Sequence, residues 1–161
     1  MEFNYTTPIQ TTVPSTLYTA DSTTGTTSPS LSQIMCHEGW EVFQGRCYYF
    51  VNEGLTWSQA QSNCALLESM LASVHSTEEY SFLQQLVHSN ENTQAWLGGF
   101  YLQDQWLWID GSWFYNNSWS FELPESANPC LTLSTFEASG SLPCNTFSYS
   151  SICVKNSNVR K

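Results

Sequence analysis

Apolar and polar positions change rhythm three times along this chain. Residues 1–35 have none: ten Thr, five Ser and three Pro, with no Cys, Trp, Lys or Arg. Such a stretch cannot bury enough apolar surface to offset the cost of ordering its backbone, which predicts a disordered stalk or linker ahead of a folded domain over 36–161. From Trp40 and Val42 through Cys47-Tyr48-Tyr49-Phe50-Val51 the alternation is that of half-buried strands. The period then lengthens. Thr56 is an N-cap with Gln59 three residues on, and Trp57, Ala60, Cys64 and Leu67 fall on one helical face. A second helix is predicted from Ser76 or Thr77, with Glu78 and Glu79 at its positive end and a stripe of Tyr80, Leu83 and Val87. Both stripes are expected to face the core.

Beyond residue 94 short strands return. Trp96-Leu97-Gly98-Gly99-Phe100 is an apolar strand whose glycines permit close backbone approach. Trp106-Leu107-Trp108 follows, then a turn at Asp110-Gly111-Ser112. Over 115–143, where Pro124, Pro129 and Pro143 punctuate the chain, little regular structure is expected. A last strand is predicted over Ser151–Lys155. The predicted class is α+β: two helices packed on short antiparallel sheets, with a long irregular loop region.

Charge narrows the partners. Four Lys and Arg stand against fourteen Asp and Glu, a net charge of −10. A groove that tracks phosphates needs several cations on one face, but three of the four here crowd the C-terminus, so nucleic acid and anionic membrane are not expected partners. No apolar run is long enough to span a bilayer. Nor is an enzyme expected. His37, His75 and His88 adjoin no nucleophile motif, and Glu78 and Glu79 read as partners of the helix dipole rather than as an acid–base pair.

Six cysteines, Cys36, Cys47, Cys64, Cys130, Cys144 and Cys153, are separated by 10, 16, 65, 13 and 8 residues. They form no C-x-x-C, and no His lies at zinc-ligand spacing, so a disulfide framework is expected; the sequence alone leaves its fifteen connectivities open. Disulfides imply an oxidising compartment and hence a secreted or extracellular protein. Met1–Tyr5 lacks the charged start and apolar stretch of a leader, so the leader is expected outside this chain. The Thr-rich segment suits O-glycosylation, and Asn4 and Asn116 head N-glycosylation sequons.

Taken together, Cys36-His37-Glu38-Gly39-Trp40 through Cys47-Tyr48-Tyr49-Phe50, the helix Trp57–Cys64, Leu71-Ala72-Ser73-Val74-His75-Ser76, Trp96-Leu97-Gly98-Gly99, Trp108-Ile109-Asp110-Gly111-Ser112 and Trp119 resemble the long-form C-type lectin-like domain. The flavour is nearest to small secreted fish lectins and the related type II antifreeze proteins. The resemblance implies the pairings Cys36–Cys47, Cys64–Cys153 and Cys130–Cys144. It also implies a loop site at which sugar-binding members hold calcium through a Glu-Pro-Asn or Gln-Pro-Asp tripeptide, an acid before a cysteine, and Trp-Asn-Asp.

In this chain the tripeptide falls on Leu123-Pro124-Glu125, which makes Pro124 the candidate for a cis peptide bond. Trp-Asn-Asp corresponds to Ser139-Gly140-Ser141, and Asn128 stands where an acid is usual. Shifting the frame to Glu122 restores one acid and leaves Gly140 and Ser141 unchanged. Calcium needs roughly 6–8 oxygens, and Glu125 is the single carboxylate of this set. No cofactor is therefore expected, calcium included.

The function expected first is a calcium-independent lectin using Trp113, Tyr115, Asn116, Phe121, Leu123, Pro124, Glu125 and Asn128, with Trp119 more simply a core aromatic. The alternative is a protein-binding module with Phe121, Leu123 and Phe136 as its apolar contact. Ice binding through Thr132, Ser134 and Thr135 is a third reading. Glycans or a glycoprotein or protein ligand are thus the expected partners, and non-covalent homo-oligomers remain open.

Overall fold

A computed structural model describes residues 34–114, 127–136 and 140–159. Its elements are β1 (Ile34–Met35), β2 (Glu41–Phe43), β3 (Arg46–Leu55), α1 (Trp57–Leu66), β4 (Met70–Leu71) and α2 (Thr77–Ser89), followed by β5 (Gln94–Leu102), β6 (Gln105–Trp108), β7 (Pro129–Ser134), β8 (Gly140–Pro143), β9 (Tyr149–Asn156) and β10 (Asn158–Val159). The described strands form an eight-stranded sheet in the order β2-β3-β9-β5-β7-β8, with β4 on β9 and β6 on β5, and a separate ribbon of β1 with β10. Every pairing is antiparallel except β5 with β9, where Ala95 lies opposite Ser150 and Trp96 opposite Ser151.

Both helices begin where their caps dictate. The Thr56 hydroxyl accepts from the Gln59 N–H while the Gln59 side chain accepts from the Thr56 N–H, a reciprocal box that satisfies two orphan donors. Ser76 caps α2 by accepting from the Glu79 N–H at 3.1 Å. Ala60 and Cys64 are buried, and Trp57 and Leu67 pack half-buried beside them. On α2, Leu83 and Val87 are buried and Tyr80 is half-buried, as the stripe predicts; Leu86 and Glu79 are buried as well.

Two buried clusters result. Tyr48, Leu83, Leu97, Leu131 and Ile152 join the sheet to α2, while Val51, Ala60, Leu71 and Trp96 gather around the Cys64–Cys153 bond. On β2 the packed side chain is Phe43, stacked on Phe82 at 4.5 Å, whereas Val42 is exposed. The glycines of β5 serve close approach. A Cβ on Gly98 would sit 2.6 Å from the Leu71 carbonyl oxygen, and one on Gly99 would sit 2.2 Å from Leu131 Cδ1.

The expectation of little regular structure over 115–143 is corrected by β7 and β8. Cys130, Leu131, Thr132 and Leu133 are all buried, so the segment lacks the alternation of a one-sided strand. Pro129, read as a breaker, occupies the first strand position, where proline is tolerated. The three disulfides pair Cys36–Cys47, Cys64–Cys153 and Cys130–Cys144, with Cα–Cα distances of 5.7, 5.4 and 5.0 Å.

Candidate functional site

The expected ligand-binding residues flank and fill the segment 115–126. Tyr115, Asn116, Trp119, Phe121, Leu123, Pro124 and Glu125 lie outside the described residues, as does Asn4. The residues on either side are placed. Trp113 follows the turn after β6, and its indole is 82% exposed, while Trp96 and Trp108 are buried. Behind it, Phe114 stacks on Trp108 at 4.9 Å and on Trp106 at 6.2 Å, and Trp106 meets Tyr101 edge-on at 5.2 Å. This aromatic row roots Phe114 in the core while the Trp113 ring beside it in sequence stays exposed.

On the far side Asn128 is exposed, with a left-handed φ of 54° that asparagine tolerates well. Its carbonyl accepts from the Cys144 N–H at 3.2 Å, closing the end of the β7–β8 hairpin that the Cys130–Cys144 bond staples. Cys130 faces Leu142 and Thr132 faces Gly140 across this hairpin. Gly140 is exposed, with open space where a side chain would be, and Ser141 is half-buried. The positions that the resemblance assigns to an acid, an amide and a carboxylate thus offer an amide, no side chain and a hydroxyl. That donor set does not fit calcium, which favours several carboxylate or amide oxygens. Among the described residues no group of three or more His, Cys, Asp or Glu side chains is gathered.

Two expected contact residues behave differently from one another. Phe136 is 75% exposed, as an apolar contact requires. Thr132 is fully buried: its hydroxyl accepts from the Gln94 amide at 3.0 Å and donates to the Gly140 carbonyl at 3.3 Å, so it cannot belong to an ice-facing surface. Thr135 donates to the Thr93 carbonyl.

A polar network escaped the sequence reading. Glu79, whose place in the first turn of α2 suits the helix dipole, is 2% exposed and so does more than that. Its Oε1 accepts from Arg46 Nη1 at 2.6 Å and from the Tyr48 hydroxyl, and its Oε2 accepts from the His75 backbone N–H at 2.7 Å. Arg46 also donates to Ser73 Oγ at 3.1 Å and to His75 Nδ1 at 3.2 Å. Ser73 donates to Asp110, whose Oδ1 accepts the Ser112 N–H at 2.9 Å and the Ser112 hydroxyl at 2.6 Å, and His75 Nε2 lies 2.8 Å from that hydroxyl. Burial alone would raise the Asp110 carboxyl, but the bonds from Ser112 and Ser73, and the charge of the His75 ring when it is protonated, outweigh it and hold the group below the usual carboxylate range. Burial, reinforced by the bond to Glu79, pushes the Tyr48 hydroxyl well above its ordinary value. Partners some 30 residues apart leave no periodic signature. The available signal was Arg46 itself, the one cation before Lys155 in an acidic chain.

A family model for the lectin C-type domain matches residues 53–155. The chain belongs to the C-type lectin family. Ladderlectin of Oncorhynchus mykiss is 39% identical over 105 residues, covering 61% of this chain, which spans only 55% of ladderlectin's own length. A Ca2+-dependent type II antifreeze protein in its Ca2+-free form aligns with a TM-score of 0.66 and 33% identity over 75% of this chain and 100% of its own. A calcium-independent type II antifreeze protein aligns with a TM-score of 0.68 and 28% identity over 78% of this chain and 98% of its own. This C-type lectin domain is thus similar both to a protein named as a lectin and to antifreeze proteins that divide on calcium.

Proposed function

We propose that the chain is an extracellular lectin that binds carbohydrate without calcium, with the exposed Trp113 ring and the β7–β8 hairpin as its contacts. Two observations carry this reading: the donor set at Asn128, Gly140 and Ser141, and the Trp113 indole, left exposed in a fold that buries its other described tryptophans partly or wholly. An exposed aromatic face stacks on the apolar face of a sugar ring, and amides supply directional bonds to its hydroxyls. The three disulfides support an oxidising, extracellular setting. No helix among the described residues is long and apolar enough to cross a membrane.

A glycan array run with and without chelator tests the proposal. Equal retention of a glycan in both conditions is expected. No retention in either condition overturns the sugar reading, and retention abolished by chelator overturns the calcium-independent one. A thermal melt offers a second check: calcium is expected to leave Tm unchanged, whereas a rise of several degrees would reveal a metal site. Protein binding is the second reading, favoured by Phe136, whose exposed ring follows β7. Failure of the array followed by loss of a partner on Phe136→Ser would establish it.

A further inference from the structure

The polar network ends on the loop that carries Trp113. We propose that His75 is a proton-responsive strut: the line from Glu79 and Arg46 through His75 to Ser112 sets the position of residues 110–114, and protonating the imidazole releases that setting. The proton positions follow from the geometry. At 2.6 Å from a carboxylate oxygen, the Ser112 hydroxyl must spend its proton on Asp110, so it accepts from His75 Nε2, which carries the ring hydrogen. Nδ1 of the neutral ring therefore holds a lone pair, and Arg46 Nη1 donates to it at 3.2 Å.

A second proton has to go onto Nδ1. That places an N–H against the guanidinium and replaces an attraction by the repulsion of two cations. Glu79 Oε2, 3.3 Å from Nδ1, accepts the His75 backbone N–H and keeps a second lone pair for the new N–H, while Oε1 holds Arg46 and Tyr48. The imidazolium is thus drawn to Oε2 as the guanidinium repels it. Among the described residues, the ionisable groups beside the ring are Arg46 from β3 and Glu79 from α2, with Asp110 beyond Ser112 from the loop and the Tyr48 hydroxyl on the far oxygen of Glu79. About a third of the His75 side chain remains exposed, so the proton has access from solvent. The ring retreats from Arg46 while its Nε2–H keeps hold of Ser112, and Ser112 is the residue next to Trp113. The conformational claim stands on this geometry alone. Its consequence for ligand retention rests on the proposed sugar site.

Fluorine NMR of the full chain labelled with 5-fluorotryptophan tests the strut without any ligand. Trp113→Phe assigns the Trp113 resonance, and the sample is titrated between about pH 8 and pH 5, where histidine changes charge. In the unsubstituted chain the Trp113 resonance is expected to shift along a single titration curve while Trp96 and Trp108 hold still. In His75→Gln, whose amide can still donate to Ser112 but does not titrate, the Trp113 resonance is expected to be independent of pH. A stationary Trp113 resonance in the unsubstituted chain, or the same titration in His75→Gln, overturns the proposal. Should His75→Gln lose its buried Trp resonances, Ser112→Ala decides, because it cuts the link to the loop and is expected to abolish the Trp113 titration. Retention of an array-selected glycan at both pH values forms a separate arm: without a glycan the sugar reading falls, and the spectra still decide the strut.

Discussion

Glu79 concentrates the residue-scale energetics of the domain. Its carboxylate is almost fully enclosed and is compensated by Arg46, the Tyr48 hydroxyl and a backbone N–H. Removing one member of a buried pair strands the other charge, so Glu79→Ala is expected to lower stability by about 3–5 kcal/mol in urea denaturation. A loss below about 1 kcal/mol, the range of exposed pairs, would show that water reaches the network. Asp110 contributes in a pH-dependent way. Its folded-state pKa is depressed, so its contribution is complete above the unfolded value of about 3.9 and disappears as pH falls through the folded one. Asp110→Asn should therefore cost stability at neutral pH and progressively less below about pH 4. An equal difference in urea midpoints at neutral and strongly acid pH would contradict this.

At the scale of elements, what was legible in the sequence was what local chemistry determines. Thr56 with Gln59, and Ser76 ahead of Glu78 and Glu79, announce helix starts because caps act within four residues. Thr56→Ala is expected to cost about 1 kcal/mol, seen as a lower urea midpoint with an unchanged slope. The β7 strand stayed hidden because Leu131 and Leu133 on one face and Cys130 and Thr132 on the other are all buried, leaving no alternation to detect. Thr132 shows the same limit in one side chain: a hydroxyl in a polar run reads as solvated, and only the register placing Gln94 and Gly140 beside it reveals the burial. The contacts that hold Ser112, the neighbour of Trp113, to His75 and His75 to Arg46 join residues 37 and 29 apart in sequence, beyond the reach of any local pattern.

For the whole molecule, the Cys64–Cys153 bond ties α1 to β9 across a separation of 89 residues. On the chain-entropy account a loop of this length stabilises by about 4–5 kcal/mol, so replacing both cysteines by Ala should lower stability by that order in urea. A loss under about 1 kcal/mol would mean that the denatured chain is already compact in this region. The β1–β10 ribbon sets Ile34 opposite Val159, so the two ends of the described domain are neighbours. Suppose the domain is pulled between these two residues. Tension runs through residues 34–36, crosses to Cys47, follows the chain to Cys64, crosses to Cys153 and leaves through residues 153–159. Residues 65–152, which include Trp113 and the β7–β8 hairpin, form a slack loop outside that covalent route. A domain tethered by one end and loaded at the other would keep Trp113 and the β7–β8 hairpin off the covalent load path for as long as both bonds remain oxidised.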